Sequence, residues 1–188
     1  MAIPVIFTSR MKKRLTRRSL AMLELALRQF PELDGKTITI GYTQAHLGSA
    51  VLPCHPTPES KLTIRLKVRK LTYNTIGHEL THLLQGLSRQ SVATTRIPSG
   101  EKQCDIWALA RSSLFCDDAP SYLKQPRVVR EKWPQYARSV RFLCMAAIEK
   151  RKTYRFYLRW LEAEIKQLPR RPLKQIRAAK QLPLPLDG

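Results

Sequence analysis

Apolar residues recur at helical spacing between Met11 and Phe30, where Leu15, Leu20, Met22, Leu23, Leu25, Ala26 and Leu27 are interleaved with Arg14, Arg17, Arg18 and Arg28. That spacing predicts an amphipathic helix ended by Pro31. Two short segments carry strand patterns instead. Thr37–Tyr42 (TITIGY) is rich in β-branched residues. Leu62–Val68 (LTIRLKV) puts Leu62, Ile64, Leu66 and Val68 on one face and Thr63, Arg65 and Lys67 on the other, as in a half-buried strand. Pro53, Pro56 and Pro58 between them predict a loop or an irregular edge.

Helical spacing returns over Thr72–Gln85, with Thr72 or Asn74 as cap, Gly86 suited to a left-handed C-terminal position, and Ile76, Leu80, Leu83 and Leu87 as the core stripe. Polar Ser88–Ser99 reads as a loop. Glu101–Phe115 reads as a second helix, apolar almost all round through Ile106, Trp107, Ala108, Leu109 and Ala110, and therefore buried. Turn signals occupy Pro120–Pro134. Gln135–Leu168 predicts one long or two shorter amphipathic helices, with Val140, Leu143, Met145, Ile148, Tyr157, Leu158, Leu161 and Ile165 as core candidates. This order predicts an α+β chain. Its parts are a domain over 1–125 with a basic N-terminal helix, a helical region over 126–168, and a basic, proline-rich tail over 169–188 that is mobile or docks as an extended peptide.

Composition narrows the classes. Of 188 residues 43% are hydrophobic, enough for a core, which excludes wholesale disorder. Four cysteines at irregular spacing exclude a disulfide scaffold, so Cys54, Cys104, Cys116 and Cys144 are expected to be buried thiols. Trp107, Trp133 and Trp160 are expected in the core. No apolar run approaches the ~18 residues that a membrane span needs. The first residues carry their charges after a very short apolar stretch, the reverse of a signal peptide. A reduced, cytoplasmic protein without a membrane partner is expected.

The formal net charge of +20 is uneven. Residues 1–30 hold 7 basic and 1 acidic side chain, residues 31–120 hold 10 and 8, and residues 121–188 hold 17 and 5. Basic flanks around a nearly neutral centre can hold nucleic acid non-specifically.

The chemistry lies in that centre. His78-Glu79-Leu80-Thr81-His82 is an HExxH sequence inside a segment that reads as helix on independent grounds. Spacing of i, i+4 puts both imidazoles on one face, one turn apart, where they can share one Zn²⁺. Glu79 falls beside that ion, placed to take a proton from water that the metal activates. A catalytic zinc needs a third ligand and one open position. The only other histidines are His46 and His55, both upstream, so a downstream third ligand has to be a carboxylate or a cysteine. Glu101 is the leading choice, with Cys104, Asp105 and Asp117 behind it. Asp105 lies one turn beyond Glu101 and is suited to accept the N–H of a ligand histidine, fixing its tautomer. Tyr122, Arg111 and His55 are candidates for a second oxyanion donor.

HExxH followed by the ExxxD of Glu101-Lys102-Gln103-Cys104-Asp105 resembles the gluzincin clan of zinc metallopeptidases, and the small size is similar to the archaeal-type minigluzincins. The resemblance covers about residues 60–125. It implies a small zincin-like fold with a short mixed sheet, and His78, His82 and Glu101 as ligands of one catalytic Zn²⁺. It also implies Glu79 as general base and acid of peptide hydrolysis, and Leu62–Val68 as the edge strand that binds an extended peptide or protein substrate. Two alternatives stand beside this. One is a metallopeptidase acting on nucleic-acid-bound proteins, similar to SprT/Spartan-type proteases, which normally use a third histidine. The other is a non-enzymatic basic nucleic-acid-binding protein with a structural zinc site. A further expectation is that Ile176–Leu186 lies in the cleft as an autoinhibitory segment.

Overall fold

The computed structural model describes residues 3–51, 61–88 and 96–170. His55, Cys54 and the segment Ile176–Leu186 lie outside them. The chain is α+β, with one mixed four-stranded sheet and seven α-helices among the described residues.

The strands are β1 (Val5–Phe7), β2 (Ile38–Tyr42), β3 (Gly48–Val51) and β4 (Leu62–Leu66), in the order β1-β2-β4-β3. β1, β2 and β4 run parallel, and β3 is antiparallel to β4, with Gly48 opposite Leu66 and Val51 opposite Thr63. Ile38 and Ile40 of β2 and Leu62, Ile64 and Leu66 of β4 are fully buried. The alternation in LTIRL therefore reports one buried face, as expected.

It does not report position in the sheet. Leu62–Val68 was expected at the edge, yet β4 is flanked on both sides, ends at Leu66, and leaves Val68 in a 3-10 turn. The edge beside it is β3, between the two expected strands in the stretch read as a loop or an irregular edge; Pro53, Pro56 and Pro58 lie outside the described residues. Its sequence, GSAV, has too little apolar content to show a period, and its pairing is supplied by β4. β1, of three residues, is likewise too short for a periodic signal.

The expected N-terminal helix is two helices, α1 (Ser9–Lys12) and α2 (Arg17–Leu27). Thr16 divides them by forming a capping box: its hydroxyl accepts the Ser19 N–H at 3.1 Å, and the Ser19 hydroxyl accepts the Thr16 N–H at 2.8 Å. Local hydrogen bonding at Thr16 outweighs the continuous apolar pattern.

α3 (Tyr73–Leu87) carries HExxH. Thr72 caps it by accepting the Thr75 N–H at 3.1 Å. The Asp117 carboxylate adds a second cap, accepting the N–H groups of Tyr73 and Asn74, each at 2.8 Å, where the positive end of the helix dipole favours an anion. Asn74 turns inward and donates to the Phe115 carbonyl at 2.9 Å. Ile76, Leu80 and Leu83 are fully buried beneath the sheet, with Leu87 packed at the margin. Gly86 is not a left-handed cap: the helix continues through it, and among the described residues only Gly35 and Gly100 have positive φ.

Gly77 is required by packing. A Cβ there would lie 2.6 Å from Cδ1 of the fully buried Phe115 ring. Gly77→Ala should therefore destabilise the protein by about 1–3 kcal/mol, the usual cost of overpacking. A urea midpoint equal to wild type would contradict this.

α4 (Glu101–Arg111) is shorter than expected. Ser112, with φ −150°, turns the chain into a 3-10 turn at Ser113–Cys116, and its hydroxyl accepts the Leu114 N–H at 3.3 Å. α5 (Arg127–Glu131), α6 (Trp133–Lys150) and α7 (Tyr157–Gln167) follow, so Gln135–Leu168 is two helices with a turn between.

Two apolar clusters result. One joins the sheet, α2 and α3. The other joins α6 and α7 through Val140, Cys144, Ala147, Leu161 and Ile165, and takes Ile106 and Leu109 from α4. Trp107 packs against both, so α4 is the element that both halves share. Trp133 is buried, while Trp107 and Trp160 are half-buried. Cys104, Cys116 and Cys144 are free thiols, the first and last buried. No helix among the described residues is long and apolar enough to cross a membrane.

Candidate metal centre

α3 presents His78 and His82 one turn apart, with ring centroids 4.9 Å apart at 75°. The first turn of α4 delivers Glu101 against them. Its Oε2 lies 2.9 Å from His78 Nε2 and 3.1 Å from His82 Nε2. Each ring is held by its other nitrogen. His78 Nδ1 meets Asp105 Oδ1 at 2.7 Å, and His82 Nδ1 meets Gln85 Oε1 at 3.0 Å.

Those outer partners decide the tautomers. The Gln85 amide nitrogen donates to the carbonyls of Pro98 (2.6 Å) and Gly100 (3.2 Å), so its oxygen must accept from His82 Nδ1–H. Asp105 Oδ2 accepts the backbone N–H groups of Tyr122 (2.7 Å) and Leu123 (2.8 Å), and Oδ1 accepts from His78 Nδ1–H. Each neutral ring then aims an Nε2 lone pair at one carboxylate oxygen. Three electron-rich atoms facing one another require a proton or a cation among them. With bonds of 2.0–2.1 Å, a tetrahedral zinc separates its ligands by about 3.3 Å, close to the contacts here. The donor set fits a single divalent ion.

The pKa shifts have the same origin. Burial alone lowers His78, but the Asp105 hydrogen bond and the charges of Asp105 and Glu79 outweigh it, and the net shift is upward. Burial raises Glu101, but its hydrogen bonds to His78 and His82 prevail and its carboxyl lies below the usual range.

Glu79 is buried on the same helix, and its Oε2 has no hydrogen-bond partner. Burial pushes its pKa up to about 7, with His78 opposing and Glu101 adding to the rise. A cation held by the imidazoles would favour its ionised form. The backbone of β3 crosses beside this carboxylate: a Cβ on Gly48 would lie 2.5 Å from Glu79 Oε1. Tyr122 stacks on His78 with ring centroids 5.4 Å apart at 25° and stays half exposed. With Ser99, Gly100, Glu101 and Leu158 it lines a cavity on the Glu101 side of the centre.

Cys104 also lies within reach. His78, His82 and Cys104 each offer a ligand atom within 4.8 Å of the others, a group able to hold a metal ion. Its thiol is buried, and burial together with the charges of Glu101, Asp105 and Glu79 pushes its pKa far up, against the thiolate a metal would bind.

The remaining candidates are elsewhere. Asp117 caps α3. Arg111 stands ten residues beyond Glu101 on α4, about 15 Å along the axis. It donates to Gln29 O (2.9 Å) and, in a fork, to Glu32 (2.7 and 3.0 Å), with its guanidinium 4.4 Å above the Phe30 ring. It is a tie between α4 and the segment that follows α2, not an oxyanion donor. Gln85 and Gly48 were missed by sequence reasoning. Gln85 had a signal, its i, i+3 relation to His82. Gly48 had none. No family model, curated protein or solved structure matches this chain.

Proposed function

We propose that the chain is a zinc-dependent endopeptidase of gluzincin type on a small zincin-like scaffold. The observation that carries this reading is the unpartnered, buried carboxylate oxygen of Glu79 beside two imidazoles whose lone pairs converge with Glu101 Oε2. A structural metal site gains nothing from a buried base next to the ligands, and burying that charge is costly.

His78, His82 and Glu101 would hold the ion, which when bound supplies Lewis acidity toward a peptide carbonyl and toward water. Asp105 and Gln85 keep both rings in the ligating tautomer. Glu79 accepts the proton of the attacking water and returns it to the leaving amine, so that one carboxylate serves both steps. Tyr122, stacked on His78 at the open side, is the candidate for stabilising the developing oxyanion among the described residues, with His55 outside them. An extended substrate would add to β3, the sheet edge next to Glu79, rather than to the enclosed β4.

The test separates the two possible third ligands. The chain loaded with one equivalent of zinc should cleave an unstructured protein such as casein. Glu101→Ala should lose activity and more than about a hundredfold in zinc affinity, a larger loss than removal of a supporting partner causes. Cys104→Ala should keep both. The reverse pattern, or an inert zinc-loaded wild type, would overturn the proposal.

A further inference from the structure

The turn between α6 and α7 gathers charge and exposed rings in one place. Residues 150–161 contain Lys150, Arg151, Lys152, Arg155 and Arg159 and no acid. The neighbouring Glu149 is already engaged by Lys152 at 2.7 Å. Tyr154 and Phe156 stand out from this surface with 42% and 47% of their area exposed, and neither joins an apolar cluster. Their rings meet edge to face at 6.1 Å. Lys150 Nζ lies 5.5 Å from the Tyr154 ring and 5.1 Å from the Trp160 ring, and the Arg155 and Arg159 guanidinium groups lie 6.0 and 5.2 Å from the Phe156 ring.

Two solvent-facing aromatic rings contribute nothing to the cores, and only Lys152 of the five cations has a local acid, Glu149, so the other four repel one another. Both features become favourable against one kind of partner: a polyanion that also offers flat apolar faces. We propose that the α6–α7 turn is a docking surface for single-stranded nucleic acid, with Arg155, Arg159 and Lys150 on the phosphates and Tyr154 and Phe156 stacking unpaired bases. A duplex hides its base faces, and an acidic peptide has none, so either would use the charges alone.

The surface borders the metal centre. α7 begins at Tyr157, whose hydroxyl accepts the Gln103 amide N–H at 2.6 Å, and Leu158 lines the cavity that Glu101 and Tyr122 also line. Binding here does not depend on the peptidase reading and is measured without it.

The experiment is fluorescence anisotropy on the full chain with labelled 20-nucleotide oligo(dT) and oligo(U), a 20-base-pair duplex, and polyglutamate. Tyr154→Leu/Phe156→Leu keeps apolar bulk but removes both rings. It should weaken single-strand binding at least tenfold, without changing the salt slope or the affinity for duplex and polyglutamate. Arg155→Ala/Arg159→Ala should weaken binding to every polyanion and flatten the single-strand salt slope by about 1.4. A ring-dependent loss with oligo(dT), oligo(U) or both supports the proposal and identifies the nucleic acid. Wild-type affinity of the ring variant for both single strands, or an equal loss on polyglutamate, overturns it. All four substituted side chains are exposed, three in the turn and Arg159 in the first turn of α7, and matched thermal unfolding of the variants checks that the fold is kept.

Discussion

Glu79→Gln should reduce peptide hydrolysis by about 10²–10⁴-fold while leaving one zinc per chain. The substitution keeps the shape of the side chain between α3 and the β3 backbone, where a Gly48 Cβ would already collide with it. It removes only the ability to take and return a proton. Zinc content should not change, because the converging atoms belong to His78, His82 and Glu101. Folding should not suffer either. The native carboxylate is buried with one oxygen unpartnered, so a neutral amide replaces a costly charge. Zinc quantification beside initial rates on a quenched peptide makes the comparison. Retained activity would remove Glu79 from the chemistry. Loss of metal together with activity would make it a ligand instead.

The second large effect concerns Asp105, which is 1% exposed and accepts three hydrogen bonds, from His78 Nδ1–H and the N–H groups of Tyr122 and Leu123. Asp105→Ala strands all three donors, and breaking a buried charged network of this kind costs about 3–5 kcal/mol. Asp105→Asn divides the two roles. The backbone donors of Tyr122 and Leu123 hold the amide oxygen, so the amide NH₂ faces His78 Nδ1 and makes it the acceptor. His78 then carries its proton on Nε2, the nitrogen needed for the metal. The Asn variant should fold with a smaller loss of stability yet bind zinc about 10–100-fold more weakly. Competition with a zinc indicator and thermal unfolding of the metal-free protein read the two effects apart. Undiminished zinc affinity in the Asn variant would show that Asp105 does not control the His78 tautomer.

The helical face of the candidate centre was legible because it is local. Four residues span about one turn, so His78 and His82 share a side of any helix built from Thr72–Gln85, and Ile76, Leu80 and Leu83 mark another side as buried. Asp105 could be singled out because a charge in an apolar helix needs partners; that these include two backbone N–H groups of the Tyr122 turn could not. Arg111 looked equally eligible on composition. Its place at the far end of α4, clamped on Glu32 and Phe30, follows from where that end of α4 meets the segment after α2. The sheet was misjudged for a related reason. A period of two identifies a strand and its buried face but is silent on its neighbours, so LTIRL looked the same as an edge or an inner strand, and GSAV carried no period at all.

What repeats within a turn or along a strand is readable from the chain alone: the α+β class and the pairing of two imidazoles with an adjacent carboxylate on one helix; composition adds the basic flanks. The packing of distant segments alone brings Glu101 within 3.1 Å of both rings, sets Cys104 close by as an alternative sulfur ligand, makes β3 rather than β4 the edge over Glu79, and leaves Tyr154 and Phe156 with five cations at one exposed corner. Local periodicity follows from backbone geometry and is written in neighbouring residues. Contacts between distant segments depend on how whole faces pack and on which alternatives they exclude, and no short stretch of sequence encodes that.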